Sequence, residues 1–185
     1  MFIRSERLFL RPAWPEDWEE LLARIADEKI VCNLAKAPWP YRAEHARDFA
    51  AKRQDKCRPH FLVTLPATGE LIGSVGLAPG DAEAAELGYW IARAQWGKGY
   101  APEAARAVLR LARTLGHERL VAGHFVDNPA SGRVLAKIGF RPTGRVLPRF
   151  SAGRGREVDS VEYAIALGSP SDCDGVDADV AMRAA

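Results

Sequence analysis

The chain has 185 residues, of which 48% are hydrophobic and 27% charged, with a formal net charge of +2. That length and composition fit one soluble globular domain with a sizeable core. The near-neutral balance excludes the strong basic bias of a nucleic-acid-binding chain, and no apolar run reaches membrane-spanning length.

Residues 7–11, RLFLR, alternate and predict a first strand, ended by Pro12. Residues 17–26 predict a helix with Trp18, Leu21, Leu22 and Ile25 on one face. Residues 27–41 contain Pro38 and Pro40 and read as a loop or broken helix. Trp39 and Tyr41 make it aromatic, so it either lines a substrate cleft or is a packed connection. Residues 42–54 predict a second helix. HFLVTL at 60–65, a turn at 66–69 and LIGSVGL at 71–77 predict a hairpin. A turn at 79–83 leads into ELGYWI at 86–91, making a three-stranded meander. Residues 93–98 form a loop. From Pro102 the pattern is helical, with Ala105, Val108, Leu109, Ala112 and Leu115 on one face and Gly116 as the C-terminal cap. LVAGHFV at 120–126 is a strand. Asn128 opens a short helix carrying Val134, Leu135 and Ile138 on one face, and Gly139 stops it. Phe140 starts another strand, and 158–167 is the last. A helical crossover between the strands at 86 and 120 implies parallel pairing inside a mixed sheet. Residues 1–167 then form one domain. Residues 168–185 are polar and acidic and are expected to be a flexible tail.

Residues 86–103, ELGYWIARAQWGKGYAPE, carry the most chemical information. A strand, a loop bearing Gly97, Gly99 and Ala101, and a helix N-terminus follow one another. Free N–H groups and the positive end of the helix dipole make such a place an anion site, typically for phosphate. The other reading is a tight turn with no ligand. No Gly-Lys-Ser/Thr closes the run, so it is not a nucleotide P-loop. The preceding strand is polar at alternate positions, unlike the first strand of a dinucleotide fold.

Three cysteines (Cys32, Cys57, Cys173) are an odd number without metal-ligand spacing, which points to free thiols in a reducing compartment. The start of the chain is too charged for a secretory leader, so a cytoplasmic protein is expected. His45, His60, His117 and His124 are scattered and read as packing or surface residues, with no metal site.

Three passages resemble the GNAT superfamily of acyl-CoA-dependent N-acyltransferases, and within it the RimJ/RimL-like group of ribosomal-protein N-terminal acetyltransferases. They are RLFLRPAWPEDWEEL, ELGYWI with WGKGYAPEA, and NPASGRVLAKIGF, in the expected order over residues 1–167. The family loop is written Q/R-x-x-G-x-G/A. Here Trp96 takes its first position, Gly99 the fourth and Ala101 the sixth. The departure at Trp96 affects a side chain, whereas backbone N–H groups hold the pyrophosphate, so cofactor binding is expected to survive. The resemblance implies one mixed, mostly antiparallel α/β sheet of about seven strands with about four helices, splayed between the fourth and fifth strands. It implies acetyl-CoA as co-substrate, with its pyrophosphate on the amides of Gly97, Lys98, Gly99, Tyr100 and Ala101. The pantetheine arm pairs like an added strand with Trp90, Ile91 and Ala92, and an N–H near Ile91 polarises the thioester carbonyl. Asn128 contacts the same arm. Ser131 stands near the cofactor sulfur as a candidate acid for the leaving thiolate. From the residues alone, Asn128 also reads as a helix N-cap followed by Pro129, and Ser131 as an ordinary first-turn serine.

The implied reaction is direct attack of a neutral amine on the thioester, so a base or water relay must take a proton. Glu86 is the candidate base, five residues before Ile91 on a strand otherwise rich in apolar residues. Its alternative is a solvent-facing or paired structural glutamate. The tyrosine many superfamily members use in the helix after Asn128 is replaced here by Leu135. Residues 141–156 hold Arg141, Arg145, Arg149, Arg154 and Arg156 and no acid. They read as a solvated hairpin or as a surface for an acidic partner: ribosome, acidic substrate or the coenzyme's 3′-phosphate. The acceptor is expected to be a protein N-terminus or small-molecule amine, with a ribosomal protein and a homodimer as candidate partners and no direct nucleic-acid contact. A non-catalytic acyl-CoA-binding module is the competing function.

Overall fold

Two short strands, β1 (Ile3–Arg4) and β2 (Phe9–Arg11), open the chain in the computed structural model, which describes residues 1–80 and 84–168. Arg11 then makes the first corner. Its guanidinium donates to both carboxylate oxygens of Asp17, at 2.7 and 2.6 Å, and Asp17 also accepts the Trp14 amide. Helix α1 (Trp18–Ile25) follows and buries Leu21 and Ile25 as its spacing predicts. The proline-bearing segment contains a short helix, α2 (Glu28–Val31), which Asp27 caps by accepting the Lys29 amide.

Helix α3 (Ala43–Ala50) is shorter than the predicted 42–54. Residues 51–54 are exposed, and Gln54 turns to the backbone N–H and ring of His60 instead of continuing a helix. Strands β3 (His60–Thr64), β4 (Leu71–Pro79) and β5 (Ala85–Ile91) form the expected meander. Its second turn falls largely on residues 81–83, outside the described part. Helix α4 (Tyr100–Thr114) begins two residues before Pro102, at a left-handed Gly99. Then come β6 (Arg119–Phe125), α5 (Pro129–Lys137), β7 (Arg141–Ser151) and β8 (Arg156–Ala166). The predicted tail lies beyond the described residues apart from residue 168.

The eight strands form one sheet in the order β1-β2-β3-β4-β5-β6-β8-β7. The extra strand beyond the expected seven is β1, two residues long and too short to show a period. Every neighbouring pair is antiparallel except β5 and β6. Both faces are covered, which explains why β4 is buried almost continuously rather than alternately. One face packs Phe61, Ile72, Leu87 and Leu120 against α4 and α5. The other packs Leu62, Leu71 and Trp90 against α1, α2 and α3. Fully buried side chains such as Phe61, Leu62 and Ile72 each contribute about 1.5–3 kcal/mol. The outer strand β7 is almost wholly exposed, but Pro142, Pro148 and its arginines blunt that edge.

The parallel pairing that closes the sheet is brief. Only Ala85 and Glu86 of β5 meet β6, at Leu120 and Val121. Beyond Glu86 the two strands part. Among the described residues the remaining edge of β5 has no strand neighbour on that side, while β6 stays paired with β8 along its full length. The expected splay is therefore present, and it positions everything that follows.

Candidate active site

The parting strands open a cleft of about 970 Å³. By alternation β5 shows different residues to its two faces. Tyr89 joins the α4–α5 core and Trp90 the α1–α3 core, so Glu86 and Gly88 share the Trp90 side. All four line the cleft.

At the α4 end lie Trp96, Gly97, Gly99, Tyr100 and Ala101. Gly97 and Gly99 have φ of 77° and 81°, a region that L side chains rarely adopt. The helix start has no side-chain cap, and the amides of residues 97–101 donate to no other group among the described residues. Unused donors at an uncapped helix N-terminus are what a phosphate requires. Arg7 supports the loop from below. It donates to the Lys98 carbonyl (3.0 Å), stacks on the Tyr100 ring and pairs with Glu103 at 2.7 Å. Ser5 and the Arg7 amide complete the binding of Glu103. Burial pushes the Glu103 carboxyl up, but these hydrogen bonds and the Arg7 charge outweigh it and hold it below its ordinary value. Lys98 reaches Gln95 at 2.7 Å, and the Trp96 indole donates to the Ile91 carbonyl at 2.7 Å, folding the loop against the strand.

At Ala92 both main-chain groups have partners within the chain. Its N–H donates to Ile72 and its carbonyl accepts from Gln95, so the main-chain groups expected to meet pantetheine are already engaged. The Ile91 carbonyl is likewise engaged, by the Trp96 indole. Asn128 does cap α5: its Oδ1 accepts the Ser131 amide at 3.3 Å. Ser131 meets a residue that sequence reasoning passed over. The Tyr89 hydroxyl donates to the Ser131 carbonyl (3.2 Å) and lies 2.8 Å from its Oγ, bridging the splay. Burial pushes the Tyr89 phenol up to about 12, with the Ser131 contact opposing it. It is therefore protonated near neutral pH and able to donate.

On the opposite face Glu86 is paired. Arg149 of β7 reaches across β6 and β8 and donates from both terminal nitrogens, Nη2 at 2.8 Å. The paired alternative for Glu86 is thus present, while the carboxylate still lines the cleft. The arginine-rich segment carries acidic partners from elsewhere in the chain. Arg145 pairs with Glu162 and Arg154 with Asp127. Arg154 also donates to the Cys32 carbonyl and covers the Phe125 ring, and Ala152 donates to Ala35. The β7–β8 turn is thereby latched onto the loop after α2, whose residues 33–38 wall the cleft. Among the described residues, no group of three His, Cys, Asp or Glu side chains could hold a metal, and no helix is long and apolar enough to cross a membrane.

Residues 7–141 match the acetyltransferase (GNAT) domain family. The chain belongs to that family. It is 30% identical over 169 residues to the uncharacterized N-acetyltransferase YoaA of Bacillus subtilis, covering 88% of this chain and 95% of the relative. Its fold is similar to a GNAT-family acetyltransferase from Bacillus anthracis, with a TM-score of 0.78, 28% identity and coverage of 90% and 99%. It is also similar in fold to RimL, the ribosomal L7/L12 alpha-N-protein acetyltransferase solved with coenzyme A, with a TM-score of 0.76, 22% identity and coverage of 90% and 98%. The chain is a GNAT acetyltransferase.

Proposed function

We propose that this GNAT enzyme is a cytoplasmic, RimJ/RimL-like N-acetyltransferase that moves an acetyl group directly from acetyl-CoA to a primary amine, either a protein N-terminus or a small molecule. The observation that carries this reading is the splay beyond Glu86. It leads from the uncapped α4 N-terminus, past Tyr89 and Ser131, to a carboxylate on the opposite face. Bound acetyl-CoA supplies an activated thioester. The amides of Gly97 to Ala101 hold the pyrophosphate, flanked by Trp96, Lys98 and Tyr100. The free edge of β5 at Trp90 and Ile91 pairs with the pantetheine arm, and the Ile91 amide stabilises negative charge developing on the carbonyl oxygen. The Asn128 side-chain Nδ2, which donates to nothing among the described residues, is placed to bind the same arm.

The acceptor approaches from the Glu86 side. Glu86, oriented by Arg149, receives the amine's proton directly or through a water. Ser131, oriented by Tyr89, donates to the leaving sulfur. The acceptor class rests on the wall formed by residues 33–38 and the β7–β8 turn. The test is free-thiol release from acetyl-CoA with a panel containing peptide N-termini, amino acids and polyamines. Amine-dependent release is expected for at least one class. Tight coenzyme binding with no release for any amine would make the protein a binding module instead.

A further inference from the structure

Among the described glycines, Gly88 is the one that neither backbone nor packing requires. Eight others (at 69, 97, 99, 116, 139, 144, 155 and 168) have positive φ. At Gly73, Gly76, Gly80, Gly123, Gly132 and Gly153 an added Cβ would meet a neighbouring atom at 3.0 Å or less. At Gly88 it would meet nothing within 4 Å, and φ lies outside the left-handed region. The strand offers no excuse either: pairing runs unbroken from Ala85 to Ile91, with Gly88 opposite Gly76 and no bulge. Glycine inside a strand weakens it, and with a bulge and a packing clash excluded, the close approach of another molecule to the backbone is a reason that fits an exposed position on a cleft floor. Gly88 is exposed on the cleft floor between Glu86 and the buried Trp90.

We propose that Gly88 is a specificity-determining position whose missing side chain leaves room for the acceptor amine and its first carbons beside Glu86. This rests on the acetyltransferase reading above, with the coenzyme along the β5 edge and the acceptor on the Glu86 face. A side chain at 88 projects onto the acceptor face only, because successive strand residues point to opposite sides. Bulk at 88 therefore obstructs the acceptor and spares the coenzyme.

The experiment compares Gly88→Ala and Gly88→Leu with the unaltered chain by calorimetry. The probes are coenzyme A alone and coenzyme A joined through an S-acetamide link to methylamine or benzylamine. Coenzyme A affinity is expected to stay within about twofold in both variants, with the thermal midpoint unchanged or raised. The benzylamine conjugate should lose at least about tenfold in Gly88→Leu, and the methylamine conjugate less. If Gly88→Leu does not fold, Gly88→Ala must still weaken the benzylamine conjugate by about threefold. Equal affinities across the variants, or a conjugate that gains nothing over coenzyme A in the unaltered chain, overturn the proposal. Failure of the unaltered chain to bind coenzyme A overturns the acetyltransferase reading itself, a result distinct from either of these.

Discussion

At one end of the cleft, residues 96–103 present groups that are chain neighbours, two left-handed glycines, a run of unused amides and the helix start they feed, and Arg7 braces them from 91 positions away. At the other end the wall is assembled from distant parts. Arg149 reaches Glu86 over 63 positions, and Arg154 reaches Cys32 over 122 and Asp127 over 27. The first end needs backbone conformation and therefore glycine. The second needs charge pairs held by tertiary structure. On the proposed function the first construction serves a common cofactor, whereas the second can be rebuilt residue by residue for different acceptors without disturbing it.

The largest expected effect separates chemistry from binding. Glu86→Gln keeps size and hydrogen-bonding capacity but removes the carboxylate. Turnover should fall by about 10²–10⁴ with coenzyme affinity unchanged, read by steady-state kinetics beside calorimetry. Next comes the loop. Gly99→Val forces a β-branched residue into φ of 81°, and coenzyme A affinity should fall by about 10–100-fold, in line with a strain of about 1–3 kcal/mol. Circular dichroism confirms that the fold survives. At the other end, Arg154→Ala releases the latch. The acceptor KM should rise about tenfold and stability should drop by about 1–3 kcal/mol, while kcat changes little and Arg154→Lys recovers part of the loss.

The smallest effect is acid sensitivity. The Glu103 and Asp17 carboxyls are pushed up by burial but pulled further down by their hydrogen bonds and arginine partners. Their folded values lie below their unfolded ones, so the unfolded chain binds more protons as the medium turns acid. Their stabilisation is complete above the ordinary values of 4.5 and 3.8 and is lost as pH falls through the lowered ones. Denaturant midpoints measured from pH 6 down to 3 should decline less steeply in Glu103→Gln.

The same contrast explains what could be read from the sequence. Strand alternation, caps and small loop residues act over a few positions, so the meander, α1, the crossover, the Asn128 cap and the glycine-bearing strand-to-helix loop are legible there. Reading 27–41 as a loop or broken helix leaves the place of α2 open, and the predicted 42–54 runs past the end of α3 because residues 51–54 carry no apolar face to check against. The partners of Glu86 and Ser131 have no local signal. Tyr89 looks like an ordinary strand aromatic until α5 folds beside it, and nothing in an arginine-rich run reveals that its acids lie at 86, 127 and 162. Gly88 was visible in ELGYWI, but only the empty space around it distinguishes it from the other glycines.

The division of the cleft is tested most directly by titrating coenzyme A into the unaltered chain, Gly99→Val and Arg154→Ala under one condition. The expected result is a loss of affinity confined to Gly99→Val, with Arg154→Ala within about twofold of the unaltered chain. Equal losses in both variants, or a loss in Arg154→Ala alone, would contradict the assignment of the α4 end to the coenzyme and the latched wall to the acceptor.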